Sequence, residues 1–370
     1  MEWQKNKIYL FYKLFRRGFR GFRWQILALT ILGVLGGLLE GVGINAAIPM
    51  FSFLMGSADF GSDFISRAIQ QFFSFSHLRF NFRYLLIFIC SLFILRAVAL
   101  FVCNYLRVRI SARYEEEARG RLFGKTLKAD WPFLLQQKLG YLDTILAVNI
   151  QNNSLLLRYF NGVVMTIGSL LMYILVALNI SFSITMITLV LGVLLVVVFY
   201  PLVYKTKVIS QKKEAMNKAV AHHINENILG MKTIKSMRLG DVVAAVGKEY
   251  FKKLKEFTVR VSFLQILSDS LIQPIGLIFI CAVFAVSYKL PGFNFAALAA
   301  VIYLIQRIFT YLQQLQSNLH TISETIPYLQ STIVYEDLAA QNEEENDGRE
   351  PFSFRKSLEF KKVDFGYNGG

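Results

Sequence analysis

Four ionisable side chains, Glu40, Arg96, Asp269 and Arg307, stand in stretches of the sequence otherwise too apolar to hold them. A charge in hydrocarbon is costly, so each needs a partner, a hydrated cavity or a task. Counted inward from the ends of their segments at ~1.5 Å per residue, Glu40, Arg96 and Arg307 fall at a common depth of ~18–22 Å. That layer predicts that Glu40 pairs with Arg96 between adjacent helices, while Arg307 faces a central cavity and can meet an anionic group. A wholly structural pairing of these charges is the other reading, because buried charges need partners. Asp269 precedes Pro274 by five residues, and Pro274 removes a helix hydrogen bond and is expected to kink its helix. With no second acid in that segment, Asp269 reads as the solvated cap of an inward cavity, not as a proton relay. His222 and His223 lie on a charged helix without Cys or clustered carboxylates, which fits a solvated face better than a metal site. Neither His77 nor His320 has sequence neighbours that suggest catalysis.

The segments that position these charges are membrane-length. Between Tyr159 and Tyr204 there is no charged residue. As one helix that stretch would be ~70 Å long, more than twice the ~30 Å hydrocarbon core of a bilayer. It must be two spans, broken at Asn179-Ile180-Ser181. Further spans read at Trp24 to Met55, Tyr84 to Leu106, Val261 to Tyr288 and Phe293 to Ser323, six in all. Pro49 suggests a bend in the first.

Composition agrees: 54% hydrophobic and 14% aromatic residues with a mean hydropathy of +0.44, yet a net charge of +15. The basic residues lie between apolar segments and form no separate basic domain, which argues against nucleic-acid binding. They orient the chain instead. Lys and Arg crowd the N-terminus, residues 107–158 and residues 205–260, and are sparse in the alternate loops. The positive-inside rule then makes both termini and both long loops cytoplasmic, with a plasma (cell inner) membrane as the expected location. Cys90, Cys103 and Cys281 all fall within spans and imply no disulfide framework. No cleavable signal sequence is read at the N-terminus.

Residues 1–23 interleave Phe15, Phe19, Phe22 and other aromatics with Lys and Arg, consistent either with an interfacial helix on anionic headgroups or with a generic basic flank. The two long inner loops are poor in Gly and Pro, so residues 107–128 and 205–260 read as helices continuing into the cytosol. In the first, Asp130-Trp131-Pro132 supplies an N-cap and a first-turn proline for a short transverse helix, Trp131 to Lys138, ended at Gly140. In the second, Ile224, Ile228 and Met231 share a face, with Gly230 permitting a bend. Past Glu336 the composition turns polar, QNEEENDGRE at 341–350. Then Leu358, Phe360, Val363, Phe365 and Tyr367 alternate as a strand does, so a β domain opens there.

Together these features resemble the membrane half of an ABC exporter. GLLEGVGINAAIP (37–49), NENILGMKTIKSMRLGD (225–241) and LEFKKVDFGY (358–367) look like signatures of that family. The resemblance implies an all-α fold of six long transmembrane helices with cytoplasmic extensions. The domains then run as an elbow helix at 1–23, a transmembrane domain at 24–335, a linker at 336–356 and the start of a nucleotide-binding domain at 357–370. It also implies coupling helices carrying Trp131, Phe133, Asn225 and Glu226, and adenine stacking on Tyr367, with ATP and Mg as cofactors of the complete protein. Expected partners are membrane lipids, a nucleotide-binding domain and a second copy or homologous half-transporter. The expected activity is ATP-driven export of a lipid, lipid-linked glycan, drug or hydrophobic peptide. No GxxxxGK[ST] phosphate loop is present, so these residues alone are expected not to hydrolyse ATP, and the chain is expected to be part of a longer polypeptide. A non-pumping regulatory subunit with the same fold stays open. An ion-coupled secondary transporter would show inverted repeats, and none is evident.

If Glu40 and Arg96 pair, exchanging the two residues restores the transport that either single charge reversal abolishes. Failure of the exchange to rescue, measured in vesicles, counts against the pair.

Overall fold

The computed structural model describes residues 14–45, 71, 73, 82–138, 140–287, 295–344, 357, 359 and 361–363. Every regular element among them is helical. Residues 14–18 and a short turn at Arg20–Phe22 lead into α1 (Arg23–Asn45), followed by α2 (Phe82–Leu127), the short α3 (Trp131–Gln136) and α4 (Ile150–Ile180). Then come α5 (Phe182–Leu229), the short α6 (Met231–Ser236), α7 (Gly240–Ser287) and α8 (Phe295–Gln341). A helical turn at Tyr141–Asp143 and a π-helical stretch at Thr144–Asn149 run directly into α4.

Four of these helices are long and apolar enough to cross a bilayer: Arg83–Leu127, Tyr141–Leu178, Phe182–Leu229 and Gly240–Val286. With 46 and 48 residues, α2 and α5 are each ~70 Å long, so about half of each must project beyond the hydrocarbon. The expected hairpin break is present. Helix α4 ends at Ile180, Ser181 is extended (φ −151°, ψ 103°), and α5 begins at Phe182. Helices α7 and α8 run through Pro274 and Pro327 without ending. Pro49 lies outside the described residues. So do Leu358, Phe360, Phe365 and Tyr367, and residues 361–363 carry no strand.

Helix α1 packs on α2 and α4, while α5 and α7 pair with each other and against α8. A Cβ on Gly37 would sit 3.1 Å from the Ser169 backbone nitrogen, so glycine sets how closely α1 approaches α4.

The N-terminal aromatics turn into the bundle. Phe19 and Phe22 are buried: their rings meet Tyr114 at 4.8 and 5.8 Å, and Phe15 meets Phe160 at 4.3 Å. Aromatic partners on α2 and α4 offer a drier and better packed seat than the interface does. Burial also pushes the Tyr114 phenol well above its ordinary range, with Arg121 pulling the other way.

Beyond the apolar stretches the helices are tied by polar contacts that converge on α8. Lys125 and Arg121 of α2 reach Glu336 at 2.9 and 3.2 Å, and Thr126 shares a 3.0 Å hydrogen bond with Tyr335. From α4, Asn153 donates to Thr332 at 3.0 Å. From α5, Lys213 pairs with Glu324 at 2.9 Å and Lys218 donates to Ser331 at 2.6 Å. Lys218 also pairs with Glu214 at 2.7 Å, and Asn149 donates to the same carboxylate at 3.2 Å. Higher in the bundle, His320 joins three helices by meeting Thr206 of α5 and Ser268 of α7, each at 3.0 Å.

Removing one partner from a buried pair leaves an uncompensated charge. Lys218→Met is therefore expected to cost about 3 kcal/mol, read as a lowered unfolding temperature in detergent. The double change with Glu214→Leu recovers most of the loss.

Candidate functional site

Helices α1, α2, α4 and α8 line a partly open cavity of about 470 Å³. Helical register builds it. On α2 the lining residues are Arg96, Leu100, Asn104 and Arg107, spaced four, four and three apart; on α4, Arg158, Gly162, Thr166 and Ser169 repeat that spacing. Residues so spaced lie on one face of a helix. Helix α8 adds Tyr311, Gln314 and Asn318, and α1 contributes a glycine wall of Gly33, Gly36 and Gly37 that leaves the space open.

Three arginines thus line one partly open cavity, and no carboxylate stands among its described lining residues. Arg107 donates through Nη2 to the Met165 thioether at 2.6 Å, a weak acceptor. Its Nε, the Nε of Arg158 and the Nδ2 of Asn318 are buried and have no acceptor among the described residues. What the arrangement can do chemically is hold a multiply negative group by charge-assisted hydrogen bonds. Its described lining residues include no Asp, Glu, His or Cys, so the hydroxyls of Thr166 and Ser169 have no general base among them.

Of the charges expected to share a layer, Arg96 lines this cavity. Arg307 does not: it lies one turn before Tyr311 on the same stripe of α8, where Nε donates to the Tyr303 hydroxyl at 2.9 Å and the guanidinium sits 5.3 Å from that ring. The backbone of Glu40 belongs to α1, but its side chain lies outside the described residues, as does Tyr367. Asp269 is half-buried and hydrogen-bonded by Ser317, with its backbone carbonyl accepting from Gln313 at 2.8 Å.

Arg107 and Arg158 were not anticipated as site residues. Each sits at the inner edge of an apolar stretch, where the orientation rule absorbs it as a flanking charge. The overlooked signal was their register with Arg96 and with the small polar residues of α4.

At the far end of the helices the two expected coupling segments meet. Asp130 caps α3, its Oδ1 accepting from the Phe133 amide at 3.0 Å, with Pro132 in the first turn as expected. The helix ends at Gln136, before Lys138, because Gln137 is already extended (φ −74°, ψ 133°). Phe133 turns inward against Tyr335, while Trp131 and Leu135 remain exposed. Helix α5 stops at Gly230 and α6 follows, leaving Ile228, Leu229, Met231 and Met237 exposed around the tip. Asn225 donates to Asp143 at 3.1 Å, and Glu226 faces His222 at 3.7 Å. A feature with no sequence signal completes the tip. The chain leaving α8 pairs with the turn before α3, the Asp130 amide donating to Asn342 at 2.8 Å and the Glu344 amide to Lys128 at 2.8 Å.

A model of the ABC transporter transmembrane region matches residues 44–310. That match runs from the end of α1 through the first third of α8 and covers most of the chain. No curated protein matches closely enough to be named as a relative.

Gly140 adopts φ +78°, and a Cβ there would lie 2.5 Å from Asn225 Nδ2 and 2.7 Å from the Ala221 carbonyl oxygen. Gly140→Ala is thus both strained and sterically blocked. It is expected to separate the two tip segments, seen as faster amide hydrogen exchange over residues 131–145 and 221–229 with the rest of the bundle unchanged.

Proposed function

Because the chain belongs to the ABC transporter transmembrane family and is an integral membrane protein, we propose that it is the cargo-moving half of an ATP-driven exporter. In this reading six membrane helices per chain associate with a second copy or a homologous half, and both ends of the chain lie in the cytoplasm, at the plasma membrane. ATP with Mg closes the nucleotide-binding domains, the stalks follow, and the pathway turns from inward- to outward-facing. The cargo is hydrophobic or amphiphilic, consistent with a pathway set in largely apolar helices.

The observation that carries the reading is the tip. Two short helices with exposed apolar side chains, Trp131 and Leu135 on one and Met231 with its neighbours on the other, stand at the ends of ~70 Å helices and are braced to one another through Gly140 and Asn225. Exposed apolar side chains in such a place suit a protein partner, and a nucleotide-binding domain following the linker is in position to be one. Backbone pairing of the linker with the α3 turn supports this, since it keeps the incoming domain near the helix it would push. The lever needs length, a stiff shaft and a contact pad.

Reconstituted in vesicles, the longer polypeptide carrying the nucleotide-binding domain is expected to hydrolyse ATP faster when cargo is present. Trp131→Ala should leave basal hydrolysis in place and remove the cargo stimulation. Tyr367→Ala should weaken ATP binding by about tenfold, the worth of one base-stacking contact. Cargo movement without any ATP hydrolysis would favour an ion-coupled carrier, and absence of both activities a regulatory subunit.

A further inference from the structure

We infer that the cavity between α1, α2, α4 and α8 binds the phosphate or diphosphate group of an anionic amphiphile, a reading that deepens the transporter function and rests on it.

The donors make the first argument. Arg96, Arg107 and Arg158 line one cavity together with Asn318, and no carboxylate stands among its described lining residues. Guanidinium groups gathered around one space suit a single group carrying several anionic oxygens. A guanidinium fork matches the spacing of phosphate oxygens and can bond two of them at once.

Charge makes the second. Even if Glu40 neutralises Arg96, as the sequence suggests, Arg107 and Arg158 leave two positive charges in the cavity. Two charges balance a phosphomonoester dianion or a diphosphate. They over-compensate a single carboxylate.

Placement makes the third. Arg107 and Arg158 lie where the apolar stretches of α2 and α4 give way to the stalks, at the depth of lipid headgroups, while Arg96 lies eleven residues away on α2, ~16 Å deeper toward the bilayer centre. A cargo headgroup can enter at the first two and advance toward the third. At about 470 Å³ the cavity holds a headgroup and not a whole lipid.

The test uses the full-length protein in phosphatidylcholine nanodiscs without nucleotide, with binding of dioleoyl phosphatidic acid followed by native mass spectrometry. Expected is saturable binding of one phosphatidic acid per chain, weakened about tenfold or more by Arg107→Gln or Arg158→Gln, and less by Arg158→Lys. Asn318→Asp keeps the side-chain size and sets a carboxylate beside the anion; it should weaken binding comparably, and it carries the test if the arginine variants fail to fold. Competition by free pyrophosphate at equal affinity would support the anion site with a soluble phosphate as its source. Competition only by phosphatidic acid supports the amphiphile. Binding that is unchanged in all these variants, or equal for phosphatidylcholine, would overturn the assignment. ATP hydrolysis by the unaltered protein is measured alongside, which separates the two claims: no hydrolysis with intact binding defeats the transporter reading alone, and hydrolysis with variant-insensitive binding defeats the headgroup site alone.

Discussion

Everything below the apolar stretches hangs on the inner third of α8. Glu324, Ser331, Thr332, Tyr335 and Glu336 each meet a different neighbour, so that α2, α4 and α5 are fastened to α8. These contacts are polar and several are buried, which makes them geometrically specific; apolar contacts alone would let the stalks slide. Arg17, ahead of α1, pairs with Asp337 and adds the N-terminal segment to the same hub. The chain that leaves α8 then turns back onto the start of α3, so the inner end of α8 and the α3 turn are one hydrogen-bonded piece.

Within the membrane the governing constraint is different. A guanidinium cannot stand in hydrocarbon without counter-charge or water, and the glycines of α1 together with Gly162 keep open the space in which such groups collect. The same glycines bring α1 close to α4. Small residues therefore serve packing on one side and cavity on the other, and any side chain added there both separates the helices and fills the site. The His320 link among α5, α7 and α8 lies outside that cavity and holds the opposite half of the bundle together.

Local rules made part of this legible from sequence. The charge-free run from Tyr159 to Tyr204 required a hairpin, and the break fell at Ser181 because the backbone had to reverse within one bilayer thickness. Asp130 and Pro132 announced α3 through capping preferences that act within a single turn. What sequence hid were partners far apart in the chain. Lys125 and Glu336 are separated by 211 residues, and nothing in either neighbourhood points to the other. Arg107 and Arg158 were visible but were counted as orientation signals; only the shared four-four-three spacing with Arg96 and with Thr166 and Ser169 distinguishes a lining face from a flank. The contact of Phe19 and Phe22 with Tyr114 was hidden for a related reason, because aromatic residues among cations suit a headgroup layer and a buried aromatic cluster equally well.

The central claim is that one cavity is reached alternately from the two sides of the membrane. Gln314 lines that cavity with an exposed side chain. A Gln314→Cys variant of the full-length protein, in a background with Cys90, Cys103 and Cys281 replaced by Ser, can be labelled with a membrane-impermeant thiol reagent added to either side of reconstituted vesicles. Labelling from the stalk side without nucleotide, and from the opposite side when ATP is trapped, is the predicted result. Labelling from the same side in both conditions would contradict the account.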